Sequence, residues 1–320
     1  MRKTISVLLA AAILFAIAAG CGAPVTDAET PIRIVTTIFP LYDWVRVILG
    51  DSAPNTELVL LQDSGVDLHS YQPTVDDIVA IAACDLFIYV GGESDSWVAD
   101  ALAESTNPDT RVINLLDALG DLAKEEALIE GMEAEEEPEE VEYDEHIWLS
   151  LRNARALCGL IADTLAAIDP ENSAAYTANA AAYDAALETQ DKAYEEAAAS
   201  AAVHTVLFAD RFPFRYLADD YGLSCYAAFA GCSAETEASF ETVVFLADKL
   251  DELGLSAILQ TESADGSIAR TIRENTRTKD QKILTMDSLQ SFTAADADNG
   301  ASYLSVMEEN LTVLRAALSG

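Results

Sequence analysis

The sequence contains few basic residues and almost no histidine. It has 18 lysines and arginines against 55 aspartates and glutamates, a formal net charge of −37, and three histidines in 320 residues. This balance argues against nucleic acid as a partner, because phosphate contacts need clustered basic side chains. An acidic surface raises the local concentration of cations, although an acidic surface that serves only solubility would have the same composition.

Long hydrophobic runs are also absent except at the N-terminus. Residues 1–21, MRKTISVLLAAAILFAIAAGC, combine two basic residues, an apolar run and small residues before Cys21. This order is typical of a secretory signal peptide, and the run is too short for a stable membrane span. Its end resembles a bacterial lipobox, with Ala18 where leucine is commoner. We expect an exported protein, anchored by lipid at Cys21 on the outer face of the bacterial cytoplasmic membrane; ordinary cleavage that leaves a free thiol is the alternative.

Cysteine is scarce in the rest of the chain. The remaining four are Cys84, Cys158, Cys225 and Cys232, and none has the Cys-x-x-Cys spacing of a thiolate zinc site. An exported protein can oxidise its thiols, but the sequence does not determine any pairing. The His-Glu-x-x-His, Gly-x-Ser-x-Gly and Gly-x-Gly-x-x-Gly motifs are missing too, so we expect no enzyme.

Alternating apolar strands and amphipathic helices predict an α/β fold of two open lobes joined by a long rigid helix. Residues 22–31 are small and polar and predict a tether. The N-terminal lobe is expected at 32–168, the linking helix at 169–202 and the C-terminal lobe at 203–320. The continuously apolar strand LFIYVGG is typical of a parallel sheet covered on both faces. Thr74 precedes an apolar run at helical spacing, which predicts a helix N-cap.

An acidic segment interrupts the first lobe. Residues 124–145, KEEALIEGMEAEEEPEEVEYDE, are rich in glutamate and have few large apolar side chains. Such a stretch cannot bury enough apolar surface to become ordered by itself. It is therefore predicted to be a mobile loop.

Two of the histidines follow carboxylates in polar loops. His69 lies in SGVDLHSYQPT, after an apolar strand, and His146 begins HIWLS; Asp67 and Glu145 precede them. Neutral imidazole is the commonest metal-binding side chain, and a neighbouring carboxylate can fix its tautomer. A single loop histidine is usually only solvated, but two in such settings favour a metal site. His204, at the start of a strand, is interpreted as structural.

These two loops resemble known metal loops. GVDLHSYQPT resembles the Gly-x-Asp-Pro-His-x-Tyr-x-Pro loop of the cluster A-I substrate-binding lipoproteins of zinc and manganese ABC transporters, and YDEHIWLSLRNA resembles their second metal loop. The resemblance covers essentially the whole mature chain. It implies two lobes joined by a rigid helix, with one divalent ion in the cleft between them. His69 and His146 would be ligands, and an ABC permease would receive the ion.

The resemblance implies two further ligands from the C-terminal lobe, where this sequence departs from the family. FADRFPFRYLADDYGL matches the third position at Asp210 with one extra residue, or at Arg211 without it, and arginine cannot bind a cation. Asp210 is the ligand we predict; an N-cap for the following helix is its alternative role. Asp287 is the predicted fourth ligand, in ILTMDSLQS, where the family has a Leu-Asp-Pro turn, and Glu262 is the reserve.

Two further acidic residues, Glu235 and Glu237, are interpreted as acids at a helix start.

The predicted ligands do not all favour the same metal, because two imidazoles favour zinc and two carboxylates favour manganese. Zn²⁺ is the predicted cargo and Mn²⁺ the alternative. A surface adhesion or structural lipoprotein in which metal is incidental is the alternative function.

Overall fold

Several predicted features lie in parts of the chain that the structure does not describe. The computed structural model describes residues 31–52, 55–126, 128–132, 142–233 and 237–320. The signal peptide, Cys21, the tether up to residue 30, Glu235 and much of the acidic segment therefore lie outside the described residues. Among the helices that are described, none is long and apolar enough to cross a membrane.

The first half is built on a four-stranded parallel sheet in the order β2-β1-β3-β4. Its strands are β1 (Ile32–Thr36), β2 (Thr56–Leu60), β3 (Leu86–Tyr89) and β4 (Arg111–Asn114). Ile34 of β1 pairs with Leu58 on one side and Leu86 on the other. The helices are α1 (Phe39–Leu49), α2 (Val75–Ala82), α3 (Val98–Ala103) and α4 (Leu115–Leu119).

Local sequence signals determine where these helices begin and end. The Thr74 hydroxyl accepts a hydrogen bond from the backbone N–H of Asp77, and the Asp77 carboxylate accepts one from the backbone N–H of Thr74. This capping box confirms the predicted N-cap of α2. Helix α1 ends at Gly50, whose φ of 53° suits a residue without a Cβ.

Two helices connect the halves. They are α5 (Leu151–Ile168) and α6 (Ser173–Ala199), and the 27 residues of α6 span about 40 Å at helical rise. Asn179 of α6 donates a hydrogen bond to the Ile48 carbonyl of α1, and Tyr194 donates one to the Met307 carbonyl in the closing helix. Helix α6 therefore contacts both halves.

The second half has a parallel sheet of the same form, in the order β6-β5-β7-β8. Its strands are β5 (Thr205–Arg211), β6 (Ser224–Phe229), β7 (Ala257–Thr261) and β8 (Lys282–Met286). Its helices are α7 (Arg215–Asp220), α8 (Phe240–Leu253), α9 (Ser267–Asn275), α10 (Ala294–Asp298) and α11 (Tyr303–Ala317). Two parallel α/β sheets with a long helix confirm the predicted fold class.

The strand order identifies one end of each sheet as the expected place for a ligand. In a sheet of order 2-1-3-4 the chain reverses its winding direction between the first and third strands, and ligands bind beyond the carboxyl ends of the strands there. The two sheets meet at these ends. The Trp148 indole N–H donates to the Ser288 carbonyl (2.8 Å), and the Leu68 backbone N–H donates to Oε1 of Gln290 (3.4 Å).

Candidate metal centre

His69 lies in a short 3₁₀ turn, Leu68–Ser70, beyond the end of β2. The Asp67 carboxylate accepts a hydrogen bond from the backbone N–H of His69 (3.0 Å), which fixes the turn. On the ring, Nδ1 lies 2.8 Å from the Ser94 hydroxyl and 3.6 Å from Oε2 of Glu145. Because Nδ1 is engaged on this side, Nε2 is the nitrogen that remains for a ligand.

His146 is fully buried and immediately precedes the 3₁₀ turn Ile147–Leu149. One oxygen of Asp144 accepts its backbone N–H (2.9 Å) and lies 3.0 Å from its Nδ1. An ionised carboxylate can only accept, so Nδ1 carries the proton that this contact needs. The carboxylate that orients His146 is thus Asp144, whereas Glu145, its neighbour in sequence, faces the ring of His69.

The two imidazoles meet at their remaining nitrogens. Nε2 of His69 lies 3.2 Å from Nε2 of His146. Two nitrogens bound to one tetrahedral zinc ion at 2.0–2.1 Å would be separated by about 3.3 Å. The spacing therefore suits two ligands of a single ion. The structure brings together the two histidines that the sequence singles out.

The pKa values of the two histidines are shifted in opposite directions. Burial lowers the pKa of His69, and the neighbouring His146 lowers it further. Burial alone would lower the pKa of His146 as well, but the hydrogen bond and charge of Asp144 raise it overall. A metal ligand needs a free lone pair, so a divalent cation between the rings would require both Nε2 atoms to be without a proton.

A third possible ligand was not predicted from the sequence. The ligand atoms of His69, His146 and Cys232 all lie within 4.8 Å of one another. Cys232 follows β6, and neither it nor Cys225 is in a disulfide. The only local signal was a Gly-Cys pair after a strand end, which has no metal-ligand spacing.

Asp210 does not lie at the start of a helix. It is in β5, and the N-cap position of α7 is taken by Phe214, so the alternative role as N-cap is wrong. Its Oδ2 accepts hydrogen bonds from the backbone N–H (3.3 Å) and the hydroxyl of Thr261 in β7. Arg211, the other alignment of this position, forms an ion pair with Asp67 (2.9 Å).

Asp287 and Glu262 occupy the next strand ends. Oδ1 of Asp287 accepts the backbone N–H of Leu289 (2.8 Å), and both Glu262 oxygens accept from Ser288. Burial and then the charge of Glu262 raise the pKa of Asp287 to about 7. Asp210, Asp287 and Glu262 do not belong to the group of three ligand atoms. As ligands they stay predictions.

The ends of the acidic segment reach the same region. Glu125 and Tyr143 form an isolated antiparallel bridge, so the two ends of this segment lie side by side. Next to it, Oε1 of Glu126 accepts the backbone N–H of Cys232 (3.0 Å). Backbone pairing that composition does not reveal therefore joins the two ends of the segment, and its mobility stays a prediction.

The remaining predicted residues lie apart from this group. His204 is exposed just before β5, and its carbonyl accepts the backbone N–H of Ser224 (2.9 Å). Glu237 precedes Ser239, the N-cap of α8. Neither residue has a ligand atom in the group of three.

The chain is similar to known zinc-binding proteins. The family model described as zinc-uptake complex component A, periplasmic, matches residues 34–317. The zinc-binding lipoprotein AdcA of Streptococcus pneumoniae is 32% identical over 98% of this chain and 60% of its own length, so the chain spans about three fifths of that relative. The high-affinity zinc uptake system protein ZnuA of Bacillus subtilis is 28% identical over 99% of both chains. The Zn(II)-bound ZnuA-like domain of S. pneumoniae AdcA superimposes with a TM-score of 0.71 at 29% identity, covering 91% of this chain and 100% of that domain.

Proposed function

The chain belongs to the family of the periplasmic component A of zinc-uptake complexes, and we propose that it captures one zinc ion outside the cytoplasm and delivers it to an ABC permease. The observation that carries the proposal is the 3.2 Å separation of the two Nε2 atoms. Each ring is oriented by a polar partner on its Nδ1 side. Such outer partners fix the tautomer and raise the basicity of a metal-binding imidazole.

Capture requires no covalent chemistry. The ion enters between the carboxyl ends of the two sheets, and His69 and His146 bind it from the first half. We propose that Asp210 and Asp287, with Glu262 in reserve, supply the contacts from the second half. Two imidazole ligands favour zinc over manganese, in line with the zinc named for the relatives.

Anchoring and release complete the proposed cycle. A lipid on Cys21 would keep the mature chain on the outer face of the membrane, beside the permease. Helix α6 contacts both halves and resists a wide hinge between them. Release therefore comes from small movements of the loops that hold the ligands.

The test is metal content after exposure of the mature, signal-less chain to equimolar zinc and manganese. We expect one tightly retained zinc ion per chain, lost in His69→Ala and in His146→Ala. His204→Ala is the matched control, because this exposed histidine lies outside the group, and it should retain the ion. Retention of manganese instead of zinc would mean that manganese is the cargo. No retained ion in any variant would overturn the proposal and favour an adhesion or structural lipoprotein.

A further inference from the structure

We propose that Cys232 supplies a third, thiolate ligand to the same ion in place of one of the two carboxylates from the second half, and that this sulfur makes the site select zinc over manganese. The inference rests on the proposed function, since it names a ligand and a selectivity for the ion captured there. It is carried by the joint placement of His69, His146 and Cys232. None of the three would form a site alone.

The distances suit a site close to its bound form. A tetrahedral zinc ion with Zn–N of 2.0–2.1 Å and Zn–S of 2.3 Å separates nitrogen from sulfur by about 3.6 Å. The ligand atoms here lie within 4.8 Å of one another, and the two nitrogens are already 3.2 Å apart. Because 4.8 Å is the upper limit of these separations, reaching the bound distances requires at most about 1 Å of movement, within the range of loop adjustments on binding.

The turn that carries Cys232 is packed directly against His146. A Cβ at Gly231 would lie 3.1 Å from Nδ1 of His146 and 3.0 Å from the Phe212 carbonyl oxygen. Only a residue without a side chain allows so close an approach without displacement. In addition, Oε1 of Glu126 accepts the backbone N–H of Cys232 (3.0 Å). These contacts hold the turn that carries Cys232 against the ring of His146.

A second observation also indicates a ligand at this place. The Glu145 side chain is 2% exposed, and its Oε1 accepts the backbone N–H of Ser94 (2.9 Å). Its Oε2 has no hydrogen-bond partner within the described part of the chain and lies 3.6 Å from Nδ1 of His69. A buried carboxylate oxygen without a partner is costly. A cation on Nε2 of His69 requires a proton on Nδ1, which the Ser94 hydroxyl can accept at 2.8 Å, and the negative charge of Glu145 lies 3.6 Å from that nitrogen.

The chemistry of the donor set determines the selectivity. Arg211 offers no lone pair, and it is engaged with Asp67. Binding would replace the S–H bond of Cys232 by a zinc–sulfur bond, and the proton would leave to solvent. Thiolate is a soft ligand that suits zinc, whereas manganese prefers carboxylate, carbonyl and water.

The experiment uses the mature chain loaded with cobalt(II), which reports its ligands by absorption. We expect one bound cobalt per chain and a thiolate-to-cobalt charge-transfer band in the near ultraviolet. Cys232→Ser should abolish the band, and Cys225→Ser, the matched control, should keep it. Because losing an outer partner of a metal ligand costs about 10–100-fold in affinity, losing a direct ligand should weaken zinc binding at least about 100-fold, with little change for manganese.

The outcomes separate the two proposals. Bound cobalt without the band in the wild-type chain, or a band that persists in Cys232→Ser, would overturn the thiolate ligand and leave zinc capture intact. The wild-type spectrum decides this even if the variant fails to fold. No bound cobalt and no bound zinc would overturn the proposed function, and the ligand with it.

Discussion

Nη2 of Arg211 lies 2.9 Å from Oδ2 of Asp67, and this ion pair joins the end of β5 to the turn that carries His69. Both side chains are 21% exposed, so the pair is partly shielded from water. The other oxygen of Asp67 accepts the backbone N–H of His69. One carboxylate therefore positions a metal-site turn and holds it against the opposite half.

A double-mutant cycle tests this pair. Arg211→Gln and Asp67→Asn should each lower the free energy of unfolding, with a coupling of about 1 kcal/mol at low salt that decreases as salt is added. Denaturant titration of the four chains measures it. The control is the exposed pair Arg33–Glu57, 47% and 53% exposed, where we expect a coupling near zero. Equal couplings for the two pairs would contradict the role assigned to Arg211.

Removing the charge behind His146 should weaken metal binding without unfolding the chain. In Asp144→Asn the amide oxygen can still accept the N–H groups of His146, but the negative charge that raises the basicity of the ring is lost. We expect zinc affinity to fall by about 10–100-fold, measured by competition with a chromogenic chelator. Asp219→Asn, at a side chain 42% exposed, is the control and should bind as the wild type does. Unchanged affinity in Asp144→Asn would contradict the prediction.

The order of helices and strands was predictable because hydrophobic periodicity and capping are local. Thr74 and Gly50, where α2 begins and α1 ends, can be identified from a few neighbouring residues. Strand length was harder to predict. Strand β5 continues through Arg211, with an irregular register to β6 after Phe208, and this removes Asp210 from the helix start that its sequence suggested.

The histidine half of the site was predictable because each histidine follows its carboxylate in a recognisable loop. Cys232 and Glu126 were not, because their approach to His146 depends on how the end of β6 and the ends of the acidic segment pack together. The position of Glu145 in the sequence also suggested the wrong partner for its carboxylate. Glu145 adjoins His146 in the chain but lies beside His69 in the fold, so its partner could not be assigned from spacing.

A buried carboxyl beside the site predicts a pH dependence of stability. Asp95 is 3% exposed, and one oxygen accepts the backbone N–H groups of Val90 and Gly91. Burial raises its pKa to about 7. The unfolded carboxyl releases its proton near pH 4, so folding takes up a proton between these values. The free energy of unfolding should therefore fall as pH rises from about 4 to about 7, by up to about 1.4 kcal/mol per unit.

Asp95→Asn imitates the neutral carboxyl and should remove the contribution of Asp95 to this slope. Relative to the wild type, the variant should gain about 3 kcal/mol between pH 4 and pH 8, measured by denaturant titration at each pH. Asp109→Asn, at an exposed position, is the control, and its curve should run parallel to that of the wild type. A parallel curve for Asp95→Asn would show that the Asp95 carboxyl is ionised in the folded chain at pH 4 to 7.

Two buried tryptophans allow the contact between the halves to be measured. Trp148 and Trp44 are both fully buried, but only the Trp148 indole N–H has an acceptor among the described residues, the Ser288 carbonyl beside Asp287. Replacement by phenylalanine removes similar volume from each site. Trp148→Phe also leaves a buried carbonyl without its partner, at a cost of about 1–3 kcal/mol. We expect Trp148→Phe to lower the free energy of unfolding by that much more than Trp44→Phe. Equal losses would mean that the hydrogen bond adds nothing and that packing alone holds the turn of Asp287 against Trp148.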